Sequence, residues 1–518
     1  MTARQYTPKL AASHVSSGTA ATRSEAGTNV DQGRRLQVPK LHTEIDDRIP
    51  ATVHGGISLC LVLWRKLKIS ELIDERVQVL RRHRPYHESD HVLAHVLNLF
   101  AGGSCIHDQK SLQQDGAVLR MLGTDRFPDP TTSGDFLRRF DDELNPGALD
   151  ALRSAVNSVQ DAVWSEFDRR RRRRRRRLGS WGRVDLDSHI IELCGNQREG
   201  ADFSYTKKWS YHPLLVTLAN TGDIVAVRNR TGNAPSAEGV EDLLETHLPR
   251  VKQLFSKVVV RGDSAFDRRS IRQICREHHA YFAHSVRRLP DRVDAAEAIA
   301  EDDWQEWKQP KARRAEKSAR KRSFRPRRKG TDRRRQQALN RNYKTISKDT
   351  QWIAEVQRRP TDNEPPCRMI VIREKHNETW SQYQTSYFDF FVYRIVFTNL
   401  PDSFTASDVV DEVYHRCDQE NIIEQLKNEL PMWRMPVREA TGNAAWAELA
   451  RLAWNISKWL GLLALPLETV RWECKRFRRA YVQVAVEVVR RSRQTWVRFN
   501  PTHRFVKEIR VAHNRLGP

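Results

Sequence analysis

From residue 182 onward the chain changes texture in a way that few folds accommodate. Three strand-like runs come first, "RVDLDSHIIEL", "HPLLVTLAN" and "DIVAVRNR". A helical stretch, "SAEGVEDLLETHLPRVKQLF", follows, then the β-branched run of "KVVVRGDSAF" and a second helical stretch, "RRSIRQICREHH". Strands first, with helix and strand alternating after them, predict an α/β core. Whatever this core does must be done by the polar residues its strands carry.

The first strand carries acids where a strand should not. Side chains alternate faces along a strand, so Asp185 and Asp187 share the face opposite Val184 and Leu186. Acidic residues form strands poorly and are costly to bury without a partner. Taken alone, the pair fits an edge strand with its acids in solvent. Asp263 stands just past the buried run Val258 to Val260, beside Gly262. That is where an open α/β sheet presents ligand-binding groups, although a cap on the next helix is the simpler role. In "DEVYHRCDQENIIEQLK", Arg416, Glu420 and Lys427 fall within about 40° of one another on a helix. Ile423, Leu426 and Leu430 would form its buried face, and an exposed Arg–Glu ladder is the plain alternative.

Charge narrows the partner. A formal net charge of +24 over 518 residues favours a polyanion, nucleic acid before an anionic membrane. Seven cysteines, odd in number and never spaced as CxxC, argue against a disulfide framework or a zinc knuckle and fit a reducing compartment. "MTARQYTPKLAASHVSSGTAATRSEAG" has no apolar core of signal-peptide length, and "LARLAWNISKWLGLLALPL" is broken by Arg451, Lys458 and Pro466. A cytosolic protein without a membrane span is expected.

The order strand Asp, strand-end Asp, helix Glu resembles the DDE transposases of bacterial insertion sequences. The spacing Arg416-x3-Glu420-x6-Lys427 resembles the Tyr-Arg-Glu-Lys signature of the branch with a β-rich insertion before the glutamate. Seven fragments in the same order extend the likeness over roughly residues 50 to 500: "GGSCIHDQKSLQQD", "TTSGDFLRRF", "DLDSH", "YHPLLV", "RTGNAPSAEG", "VVRGDSAF" and "NAAWAELARLAWNI". Two positions depart from the pattern. Val413 stands where the family tyrosine would, with Tyr414 rotated about 120° from Glu420. Ser188 and His189 stand where a threonine would follow the first acid.

The resemblance implies a ribonuclease H-like mixed sheet flanked by helices, with a β-containing insertion and a helical N-terminal region. It implies Asp187, Asp263 and Glu420 as catalytic and metal-binding acids, with Asp185 in reserve for Asp187, and Arg416 and Lys427 as holders of DNA phosphates. The implied cofactor is a pair of Mg²⁺ ions about 4 Å apart, with Mn²⁺ as the alternative. Attack by water or a 3′-hydroxyl needs charge neutralised at the attacking and leaving oxygens, and hard cations prefer carboxylate oxygen. Without metal the acids would raise each other's pKa values. The implied activity is cut-and-paste transposition on terminal inverted repeats and target DNA, by a homodimer in the synaptic complex, in the cytoplasm at the nucleoid. A related nuclease without strand transfer and an inert DNA-binding derivative are the rivals.

The organisation expected on this basis begins with a disordered basic tail at 1–45 and a helical DNA-binding region at 46–165. In that region Ser89 and Thr132/Ser133 would cap helices, and Gly102–Gly103 would stop one. An Arg-rich linker (166–181) holds the run Arg169 to Arg177, suited to a solvated tether or to touching phosphates without reading sequence. The core would be split into 182–266 and 405–465, around an insertion at 267–404 with a basic segment at 311–335. A basic C-terminal region at 466–518 closes the chain. The three acids should stand within about 8 Å of one another, the insertion should leave the core, and the Glu420 helix should return to it.

Overall fold

The computed structural model describes residues 50–173, 180–195, 197–308, 351–375 and 391–517. The tail at 1–45, the basic segment at 311–335 and Arg174 to Arg177 lie outside them. Residues Ile49–Pro518 form one compact unit.

Its centre is a nine-stranded sheet. β2 (Trp181–Ser188), β6 (Leu214–Leu218) and β7 (Asp223–Arg228) form an antiparallel meander, while β8 (Lys257–Gly262) pairs parallel to β2 and β9 (Tyr281–Val286) parallel to β8. The spatial order β7-β6-β2-β8-β9, meander on one side and parallel strands on the other, is the ribonuclease H-like arrangement. Crossovers suit this order, since parallel neighbours need a long connection. The helix Val240–Leu254 links β7 to β8, and Arg269–Glu277 links β8 to β9. The small strands β3 (Ile191–Glu192), β4 (Asp202–Phe203) and β5 (Trp209–Tyr211) make a separate sheet between β2 and β6, so "RVDLDSHIIEL" is two strands rather than one.

The insertion does not leave the core as expected. β10 (Gln305–Trp307), β11 (Gln351–Arg358), β12 (Cys367–Lys375) and β13 (Phe391–Thr398) continue the central sheet, with β13 antiparallel to β9. β9 would otherwise present an unpaired edge, and pairing with β13 satisfies its backbone groups. Arg269–Glu277 and β9, both placed in the insertion by sequence, belong to the core.

The other edge is closed by side chains. Helix α13 (Ala440–Leu463) is buried on nearly all sides and packs against β7 and four N-terminal helices. Asn455 accepts from the Ile224 N–H at 2.8 Å and donates to its carbonyl at 2.9 Å, a side-chain substitute for a missing strand. Trp446, Trp454 and Trp459 fill the space between layers.

The N-terminal region is helical: α1 (Ile57–Lys66), α2 (Ile69–Arg76), α3 (Glu88–Ala101), α4 (Gln109–Gln113), α5 (Gly116–Leu122), α6 (Pro130–Arg138) and α7 (Ala148–Arg173). It shares one core with the sheet, for Leu97, Phe136 and Val156 belong to the same buried cluster as Leu186 and Val260. Two helix starts differ from expectation. α3 begins beyond His87, whose N–H donates to Asp90 at 2.9 Å, because Ser89 is engaged by Asp74. α6 begins at Pro130 behind Asp129, whose carboxylate accepts from the Thr131 and Thr132 N–H groups. Gly102 does end α3, at φ 110°.

α7 extends into the arginine run. Its first four arginines are drawn onto the helix's own acids: Arg169 and Arg170 pair with Glu166, Arg171 and Arg172 with Asp168. No helix among the described residues is long and apolar enough to cross a membrane.

Candidate active site

The register of β2 and β8 sets the site. Val184 stands opposite Val260, and Asp185 opposite Arg261. That rung is a closed ion pair: Arg261 donates to the two Asp185 carboxylate oxygens at 2.6 and 2.8 Å, with both side chains almost fully buried. Arg261 also donates to the Glu412 carbonyl at 2.8 Å, and Arg183 Nε to the Glu412 carboxylate at 2.7 Å. Asp185 is therefore committed to Arg261. Two residues further along each chain, past the last paired rung, come Asp187 and Asp263.

Asp263 closes a turn rather than capping a helix. Its carboxylate accepts from the Ala265 N–H at 2.9 Å, whereas the following helix starts only at Arg269. Glu420 arrives from the far side of the insertion. The stretch "DEVYHRCDQENIIEQLK" folds as two helices, α11 (Ala406–Tyr414) and α12 (Cys417–Asn428), broken at His415 and Arg416. Here α8 to α10 are Val240–Leu254, Arg269–Glu277 and Pro290–Glu297. Gln419, almost fully buried, donates to the Asp185 carbonyl at 3.1 Å and the Leu215 carbonyl at 3.4 Å. This ties the first turn of α12 to β2 and β6 and leaves the next residue, Glu420, exposed beside the strand ends.

Electrostatics register the convergence. The Asp187 carboxyl is pushed up to about 6, first by burial, and further by the negative charges of Asp263 and Glu420. Arg416, 3.6 Å away, and the Ser188 N–H, at 2.8 Å, pull the other way. Among the described residues the three acids do not form a closed cage: ligand atoms of three His, Cys, Asp or Glu side chains come within 4.8 Å of one another at His83, His87 and Glu88 instead. There Glu88 is already occupied, accepting from the Val79 and Leu80 N–H groups at 3.1 and 2.9 Å and lying 3.1 Å from His83 Nδ1.

Arg416 faces Asp187, and its Nη1 is buried without a hydrogen-bond partner. Lys427 is exposed in the last turn of α12. Its charge is felt by His189, which burial first, then Lys427 and His212, lower to about 3. His189 packs edge-on against Trp433 at 5.0 Å. Tyr414 lies elsewhere, against Trp307 at 5.1 Å, with its hydroxyl accepting from Arg394 at 2.8 Å. Val413 packs in the same cluster, beside strands β9 to β13.

Residues 50–518 match the family model described as transposase DDE domain group 1. The chain belongs to this family. It is accordingly a DDE transposase, an enzyme of DNA cleavage and strand transfer that acts on DNA, in a family that depends on divalent metal. No curated protein matches it. Among solved structures it is similar to a piggyBac transposase, solved by cryo-electron microscopy as a synaptic complex with hairpin DNA. That likeness is 10% identity over 82% of each chain, with a TM-score of 0.33.

For a DDE transposase, the signals missed in the sequence were positional ones. Arg261 precedes Asp263 by the interval that separates Asp185 from Asp187, so each strand sets one member of a buried ion pair two residues before a candidate acid. Gln419 and Glu412 had no local signal at all.

Proposed function

We propose that Asp187, Asp263 and Glu420 are the catalytic acids of this transposase, and that it moves an insertion sequence by cut-and-paste from terminal inverted repeats. The observation that supports the acids most directly is the raised Asp187 carboxyl, with two further acids contributing to the rise. Three neighbouring carboxylates repel one another, and Arg416 beside Asp187 offsets only part of that charge. Their hard oxygens fit Mg²⁺, with Mn²⁺ as the alternative, better than a soft metal. The trio would hold two such ions, whose charge neutralises the attacking and leaving oxygens of phosphodiester exchange.

The chain's own residues then position the DNA. Arg416 Nη1, a buried donor 3.6 Å from the Asp187 carboxylate and without a hydrogen bond, can take a phosphate oxygen beside Asp187. Lys427 adds an exposed point charge in the last turn of α12, the helix of Glu420. Gln419 holds α12 on the sheet so that Glu420 stays beside the strand ends. Two copies of the chain would bring two element ends together, at the nucleoid in the cytoplasm. The test uses the full chain, Mg²⁺, and a duplex carrying the DNA that flanks its gene. Cleaved ends joined to a second duplex are expected. Nicks without joining would make it a nuclease, and an unreactive duplex would make this copy inert.

A further inference from the structure

The C-terminal region contributes an element that the active site does not use. β14 (Val486–Arg491) and β15 (Gln494–Phe499) form an antiparallel hairpin, and β1 (Ala51–Thr52) pairs only with its base. One face of that base is anchored. Val486, Val488, Val497 and Phe499 pack around Ala117 and Met121 of α5. Beyond Val488 and Val497 the support ends, and Arg490 to Trp496 are all exposed.

The free tip has a definite chemistry. Arg490, Arg491 and Arg493 have no ion-pair partner among the described residues, whereas Arg498 nearer the base pairs with Glu487 at 3.0 Å. No acid occurs between Glu487 and Glu508. Trp496 is 55% exposed, on the face carrying Arg491. The turn is strained for the residues it uses: Ser492 and Arg493 hold φ of 49° and 63°. Two-residue hairpins of this backbone type favour Asn-Gly, which adopts positive φ far more readily. The turn holds a guanidinium at its apex on strained backbone, and such strain gathers at working sites.

We propose that the tip from Arg490 to Trp496 is a DNA-contacting ribbon that enters the groove of a duplex, outside the acidic site. A two-stranded ribbon fits the major groove, arginines reach the phosphates on either side, and the indole packs against sugar and base edges. The inference rests on the chain acting on DNA.

The test measures binding of the full chain, without divalent metal, to a fluorescein-labelled duplex of mixed sequence across a salt series. Arg491→Ala with Arg493→Ala should lower the slope of log affinity against log salt by about 2 and weaken binding roughly 60-fold near 0.1 M salt, at ~0.9 counterion per contact. Trp496→Ala should weaken binding about tenfold with the slope unchanged, since apolar packing against sugar and base edges releases no counterion. Ser492→Asn with Arg493→Gly should raise thermal stability yet bind more weakly, which misfolding could not produce. Variants that match the parent in affinity and slope would overturn the proposal. So would variants that bind normally but change oligomeric state by light scattering, which would make the free edge of β15 a contact with a second copy. A parent that binds no duplex would sink the DNA-handling reading and the hairpin with it.

Discussion

Replacing Asp187 with asparagine should stabilise the metal-free protein above pH 6. Asp187 is largely buried and its carboxyl is raised from 3.8 to about 6. The unfolded chain ionises this group near the ordinary value, so between about pH 4 and 6 the folded state binds the extra proton. Stability therefore falls as pH rises through that window, and above it the folded state carries the full cost of a crowded carboxylate. A rise from 3.8 to about 6 corresponds to about 3 kcal/mol at 1.36 kcal/mol per pH unit. Asn keeps the shape and removes the charge. Urea unfolding without divalent metal should show Asp187→Asn more stable by up to that amount at pH 8, with the advantage gone below pH 4. If Asp187 is a metal ligand as proposed, Mg²⁺ should stabilise the parent more than the variant. A variant that is less stable than the parent at pH 8 would refute the reasoning, since it would mean that Arg416 outweighs burial and the other acids together.

Arg261→Met should cost about 3–5 kcal/mol by leaving Asp185 buried without its fork, and adding Asp185→Leu should recover most of that loss in a double-mutant cycle. An effect of the single change below about 1 kcal/mol would mean that the rung beneath the acids is not a buried ion pair. His95, fully buried with Nε2 facing the Ser133 carbonyl at 3.2 Å, is lowered to about 3, chiefly by burial. It stays neutral in the folded state while the unfolded chain takes up a proton below about pH 6.5, so stability is lost as pH falls toward 4. His95→Gln should reduce that slope by about 1.4 kcal/mol per pH unit, and equal slopes would refute the assignment.

The two acids of β2 explain why the site was only partly legible. Strand alternation put Asp185 and Asp187 on one face, and nothing in the local sequence separates an acid facing a site from an acid facing an arginine. The difference lies in the parallel register with β8, a non-local fact, which sets Arg261 against Asp185. The place of Asp263 just past a strand end was readable because a β-branched run ends just before it. The insertion was misplaced for a similar reason: strand patterns in "CRMIVIRE" and "FDFFVYRIVFTN" predict strands, but not the sheet edge they join. The break at His415 and Arg416 has no Gly or Pro to announce it, so one helix was expected where two occur. Helix starts failed where a stronger partner claimed the candidate cap, as Asp74 claims Ser89.

The most direct test of the acidic site is Glu420→Gln, compared with the parent in Mg²⁺ for both cleavage and binding on one duplex carrying the flanking DNA. Glu420 is exposed on α12, and Gln keeps its length and hydrogen-bonding capacity while removing the charge that would help hold the metal. Cleavage should fall by orders of magnitude while gel-shift affinity changes little, because binding is spread over many arginine and lysine contacts to phosphate. Cleavage undiminished in Glu420→Gln would remove this residue from the catalytic set, and an equal loss of binding and cleavage would make α12 a structural element.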